Sequence, residues 1–160
     1  MSKPSRAKRL RLYAHTSAIG GCFDPEFATD SLRLIEAARN GRVVLLLSDI
    51  VIRELEDAPK RVRDILPSLP TAAVERVELT EEVLDLRDAY LEAKILGPQW
   101  SDDAAHVAAA TVARADAIVS WNLAHIVRLD KMKAYNQVNI INGYGIITII
   151  TPKEVPYDNT

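Results

Sequence analysis

One cysteine, Cys22, occurs in 160 residues. No internal disulfide is therefore available, and without paired CxxC motifs there is no cysteine zinc site. A reducing, cytoplasmic setting is the expectation that follows. No run of about 18 apolar residues occurs, which removes a membrane-spanning helix. The basic N-terminus is not followed by an apolar segment with a cleavage site, so secretion is not expected either. A GxxxxGKS/T loop, a GxGxxG after a strand and a GxSxG elbow are all missing. Phosphate-loop, dinucleotide and α/β-hydrolase chemistry thereby lose their usual anchors.

What remains describes one globular domain, since single cores run to roughly 100–200 residues. Hydrophobic residues make up 48% and charged residues 26% of the chain, far from a disordered composition. The net charge of −2 hides an asymmetry. Lys3, Arg6, Lys8, Arg9 and Arg11 crowd the N-terminus, and the rest is acidic. Residues 1–9 are expected as a flexible basic arm, 10–151 as the domain and 152–160 as a C-terminal tail. The arm suits nucleic-acid phosphates or simply stays solvated.

Patterning alternates strands with helices. Residues 10–14 read as a strand ending at His15, and Gly20-Gly21 as a flexible turn to Asp24-Pro25-Glu26, which opens a helix. Val43 to Leu47 is a continuous apolar run, as in a strand buried on both faces. Ser48-Asp49 starts a helix interrupted at Pro59, Val74 to Leu79 suits an edge strand, and Thr80 caps another helix. Ser101-Asp102-Asp103 opens an alanine-rich, buried helix. Ala117 to Ser120 is a short strand, Asp130 to Tyr135 a polar helix and Ile146 to Ile150 a last strand. This order predicts a parallel α/β sheet, whose ligands bind beyond the strand C-termini.

Three strand ends therefore matter: His15-Thr16-Ser17, Ser48-Asp49 and Trp121-Asn122. Glu54 follows Ile50 by one helical turn and so lies along the buried face of its helix. Of Asp102 and Asp103 only one can face inward, because helix neighbours stand about 100° apart. Asp103 shares the apolar side with His106 and Val107. An inward carboxylate there suits a divalent cation. Asn122, just past a strand, reads from spacing as an ordinary turn residue. His106 and His125 read as satisfied structural histidines, without the i,i+4 spacing of a metal pair.

In order, YAHTSAIGG, LSDIVIRELEDAP and SDDAAHVAAATVARADAIVSWN resemble the PIN-domain family, which includes the VapC toxins of bacterial toxin–antitoxin pairs. The resemblance implies a single PIN-like α/β domain, a parallel sheet of about four to five strands flanked by helices. It implies metal-dependent endoribonuclease activity with Mg²⁺ or Mn²⁺, an RNA substrate, a cognate antitoxin and a homodimer. Glu54 and Asp103 match the metal-binding acids, Asn122 matches the fourth-strand position, and Thr16 and Ser17 match the polar residues that orient the first acid. Arg53, Lys60 and Arg61, with the N-terminal arm, would contact RNA.

The departure is His15, which stands where the family carries its first aspartate. Three accounts stay open: a natural or engineered lesion that silences the nuclease, a ligand favouring softer Mn²⁺ or Zn²⁺, or a general base or phosphate-contacting cation. The alternative functions are a catalytically silent PIN scaffold that binds RNA or a protein, and a metal-dependent phosphatase of another α/β family.

Overall fold

A computed structural model describes residues 9–157 of the chain, so the expected basic arm lies, save for residue 9, outside the described residues. Leu10–Ala14 forms β1, followed by α1 (Thr16–Gly20) and α2 (Ala28–Arg39). Val43–Ser48 forms β2, then come α3 (Asp49–Glu56) and the single turn α4 (Lys60–Arg63). Val74–Val77 is β3, and α5 (Glu81–Glu92) pairs with α6 (Ser101–Val112). Ala117–Val119 is β4, Leu129–Ile141 is α7 and Ile149–Ile150 is β5. Among the described residues no helix is long and apolar enough to cross a membrane.

All strand pairs are parallel, in the order β3-β2-β1-β4-β5. The chain builds outward from β1 through β2 to β3, then crosses to the other side for β4. That reversal opens a crevice at the C-terminal ends of β1 and β4. His15 emerges there, its backbone N–H still bonded to Val119 O at 3.0 Å. The topology therefore aims the tip of a buried strand at the one place where an α/β sheet parts.

Helices cover both faces, which explains the unbroken apolar strands. All six residues of β2 are buried, and each buried leucine contributes about 1.5–3 kcal/mol. Ala104, Ala105, Ala108, Ala109 and Ala110 of α6 are buried, small side chains that let the helix backbone approach the sheet closely.

Several elements depart from the sequence expectation for local reasons. Helix α2 starts at Ala28, not at Asp24, because the Asp24 carboxylate accepts the Glu26 N–H at 2.8 Å and holds a turn first. Strand β5 is shorter than residues 146–150 because Ile147 exchanges both backbone bonds with the Asn136 side chain, not with β4. Helix α7 runs past Tyr135 to Ile141. Its inward polar residue, Asn139, is satisfied by Tyr90 and Thr111. Pro152, Val155 and Tyr157 are buried against the body.

Gly20 and Gly21 are not a flexible turn: their φ values of −61° and −59° are helical. Gly21 is small for a different reason. A Cβ there would lie 2.5 Å from Ser31 Oγ and 2.8 Å from Trp121 Nε1, two atoms already bonded to each other at 2.9 Å. A Cβ on Gly20 meets nothing within 4 Å. Gly21→Ala should therefore cost about 1–3 kcal/mol by overpacking, whereas Gly20→Ala should be neutral or gain about 0.4–1 kcal/mol. Urea unfolding of the two variants checks this, and equal stabilities would contradict the close-approach account.

Candidate functional site

His15 sits between β1 and α1 as the cap of that short helix. Its Nδ1 accepts the Ser17 N–H at 3.2 Å and lies 2.8 Å from Ser17 Oγ. Accepting a backbone N–H leaves Nδ1 without a proton, so the neutral ring carries its hydrogen on Nε2. That nitrogen lies 4.0 Å from Asp103 Oδ1. The ring packs edge-on against His106, with centroids 4.5 Å apart. Burial first, and repulsion from His106 second, push its pKa from 6.5 down to about 3 against the pull of Glu54. At neutral pH His15 is an uncharged imidazole.

Glu54 reaches the same crevice from α3. Its Oε1 accepts the Thr16 hydroxyl at 2.6 Å and His106 Nε2–H at 2.8 Å. Burial alone would raise its pKa, but the bonds from His106 and Thr16 outweigh that and bring it from 4.5 to about 2. The His106 ring, fully buried, then has Nδ1 free to accept the Tyr13 hydroxyl at 2.7 Å. Tyr13 in turn accepts from Ser48 at 2.6 Å. A directed chain of hydrogen bonds thus runs Ser48, Tyr13, His106, Glu54, from the core to the crevice.

Asp103 enters from the first turn of α6. Its side chain is 17% exposed, and Oδ2 accepts His125 Nδ1–H at 2.8 Å. Asp102, one step round the helix, is 61% exposed and pairs with Arg53 at 3.5 Å. His125 is wedged between Asp103 and the Trp100 indole, 4.3 Å away by ring centroid. Reading His106 and His125 as structural misses what they do: each donates to one of the two site carboxylates. His106 was visible in outline, one turn along from Asp103 on the apolar side, but its partner on α3 was not.

The remaining expected residues have other partners. Asn122 Oδ1 accepts the N–H groups of Ala124 and His125 at 3.2 and 3.0 Å, capping the loop that carries His125. Ser17 Oγ accepts the Trp121 N–H at 2.9 Å and so joins the ends of β1 and β4. Lys60 pairs with Asp64 at 2.8 Å, and Arg61 lies over the Phe23 ring at 4.9 Å. The structure gathers His15, Thr16, Glu54 and Asp103, and leaves Arg53, Lys60 and Arg61 on exposed surface.

The donor set does not fit a Mg²⁺ or Mn²⁺ centre as arranged. A hard cation wants several oxygen ligands, yet Glu54 Oε1, Asp103 Oδ2 and Asn122 Oδ1 are engaged by protein donors, which leaves two carboxylate oxygens, Glu54 Oε2 and Asp103 Oδ1, and no third. His15 presents N–H, not a lone pair, towards Asp103. Among the described residues no three His, Cys, Asp or Glu side chains converge to hold a metal ion.

The same burial has a pH consequence. The unfolded chain protonates His15 near its ordinary 6.5 and the folded chain only near 3, so folding stability falls with acidification through that window. Glu54, lowered from 4.5 to about 2, adds a further loss below pH 4.5 with the same sign. In denaturant unfolding from about pH 7 to about pH 4, His15→Asn should flatten the upper part of the acid slope and leave the lower part. An unchanged slope would assign the proton uptake to another group.

No family model matches the chain, and no curated protein matches it. Among solved structures it is similar to a chain of the crystal structure of VapBC2 from Rickettsia felis bound to a DNA fragment from their promoter. That similarity has 15% identity and a TM-score of 0.55, and covers 89% of this chain and 98% of that chain. A likeness at that identity concerns the fold, and it agrees with five parallel strands flanked by helices: the chain has a PIN-like α/β fold.

Proposed function

We propose that this chain is a VapC-like PIN-domain protein that binds RNA and whose hydrolytic centre is disabled at its first position. One observation carries the reading: a buried, neutral His15, aimed at Asp103 with an N–H, stands where the resembling family places an acid. Glu54 and Asp103 keep their places in the crevice, but each is bonded to a histidine, and among the described residues no third acid joins them. What these residues do without a cation is binding chemistry. His15 Nε2–H is the group here that has no hydrogen-bond partner in the protein and can donate to a polar ligand. The match to VapBC2 supports a cognate antitoxin as protein partner, and a homodimer belongs to the same reading.

A second reading keeps the endoribonuclease active, with Mg²⁺ or Mn²⁺ on Glu54 and Asp103. It is favoured by two carboxylate oxygens, Glu54 Oε2 and Asp103 Oδ1, that carry no hydrogen bond. RNA cleavage with Mg²⁺ and with Mn²⁺, for the wild type, Glu54→Gln and His15→Asp, separates the two. The first reading expects no metal-dependent cleavage above the Glu54→Gln background, and a gain on the order of 10²-fold or more in His15→Asp. Wild-type cleavage that needs Mn²⁺, is lost in Glu54→Gln and does not rise in His15→Asp would overturn it in favour of the second.

A further inference from the structure

Beside the acid crevice, on the far side of His125, lies a second cleft of about 290 Å³ between the α5–α6 connection and the start of α7. Its wall includes Lys94, Trp100, Ala124, His125, Arg128 and Lys131, and no carboxylate lines it. We propose that this cleft is a nucleotide subsite for single-stranded RNA, in which Trp100 stacks one base while Lys94 and Arg128 hold an adjoining phosphate. The inference rests on the RNA-binding reading above and specifies where one nucleotide sits.

Three observations carry it. First, Trp100 is 43% exposed on a short turn, Pro98–Trp100, yet it is not loose. Its indole rests on His125 at 4.3 Å with a 41° tilt. His125 is itself fixed by Asp103 through Nδ1 and by the Tyr135 hydroxyl on its carbonyl at 2.9 Å. A supported, partly exposed aromatic face is the device by which single-stranded nucleic acids are held without reading sequence. Second, the cations have donors to offer. The Lys94 ammonium has no hydrogen-bond or ion-pair partner among the described residues. Arg128 approaches Asp130 at Nε, 2.8 Å away, and a guanidinium has further N–H groups for a phosphate contact. Lys131 donates to the Ile95 carbonyl and thereby anchors the start of α7 to the opposite wall.

Third, Lys94 holds a left-handed backbone, φ 60°, one residue after the Ala93 cap of α5. That position closes α5 and sets the Lys94 side chain in the wall of the cleft. The subsite also adjoins the crevice directly, because His125 touches both Trp100 and Asp103. A strand stacked on Trp100 continues towards His15.

The test is equilibrium binding of a fluorescein-labelled single-stranded RNA 12-mer of mixed sequence, and of the matching DNA, to wild type, Trp100→Ala, Trp100→Phe and Lys94→Gln, with thermal melts as the folding control. Trp100→Ala should weaken RNA binding about 10-fold, within roughly 5- to 150-fold, and Trp100→Phe should restore most of it. Lys94→Gln should make the slope of log K against log salt shallower by about 0.7, the loss of one phosphate contact on a single strand. If the wild type binds RNA and both Trp100→Ala and Lys94→Gln bind equally well, the subsite is wrong and the RNA reading stands. If the wild type binds neither 12-mer, the RNA reading falls and takes the subsite with it. DNA bound as tightly as RNA, with the same dependence on Trp100, supports the subsite and replaces RNA by single-stranded nucleic acid in general.

Discussion

A fully buried imidazole has to find partners for both ring nitrogens, and the way His106 does so organises this protein. The ionised Glu54 fixes the proton on Nε2, which obliges Nδ1 to accept from Tyr13, which obliges Tyr13 to accept from Ser48. Four elements, β1, β2, α3 and α6, are tied together by groups that each have one workable role. Leaving any one of these atoms without its partner exposes the rest to the full cost of an unsatisfied polar group in the core. Ser48 also caps α3 by accepting the Val51 N–H at 3.4 Å, so the helix that presents Glu54 begins at the far end of the same chain.

His15 is best understood against that background. It is pressed edge-on against His106 and almost wholly buried, so protonating it would place a poorly solvated charge against a ring whose neighbours already define its state. Neutrality is the cheaper solution. The outcome is a crevice with two anionic carboxylates, each matched by a histidine donor, and a neutral donor between them. One oxygen of each carboxylate is satisfied inside the protein, and the other, Glu54 Oε2 or Asp103 Oδ1, carries no hydrogen bond. The cationic surface lies beyond His125, on the Trp100, Lys94 and Arg128 wall.

Much of the scaffold was legible in local pattern. The apolar run of β2, the Thr80 and Ser48 caps, the alanine-rich α6 and the inward turn of Asp103 over Asp102 all follow from periodicity and capping. Elements went astray where a side chain competes for backbone groups. Asp24 delays α2, and Asn136 captures the Ile147 backbone that would otherwise lengthen β5. Asn122 shows the same effect at the site, because two nearby N–H groups claim its carbonyl.

The residues alone determined which chemistry was available: two inward acids, a histidine at the first strand end, a single unpaired cysteine, and no P-loop or nucleophile elbow. Periods of two and of 3.6 residues are local properties, so they can be read along the chain. Which donor meets which acceptor is not local. His106 finds Glu54, and His125 finds Asp103, only because the strand order reverses at β1 and brings α3, α6 and the loop after β4 to one crevice. The packing, through burial and the pairing it forces, turned two structural histidines into the partners of the site acids and left His15 without charge.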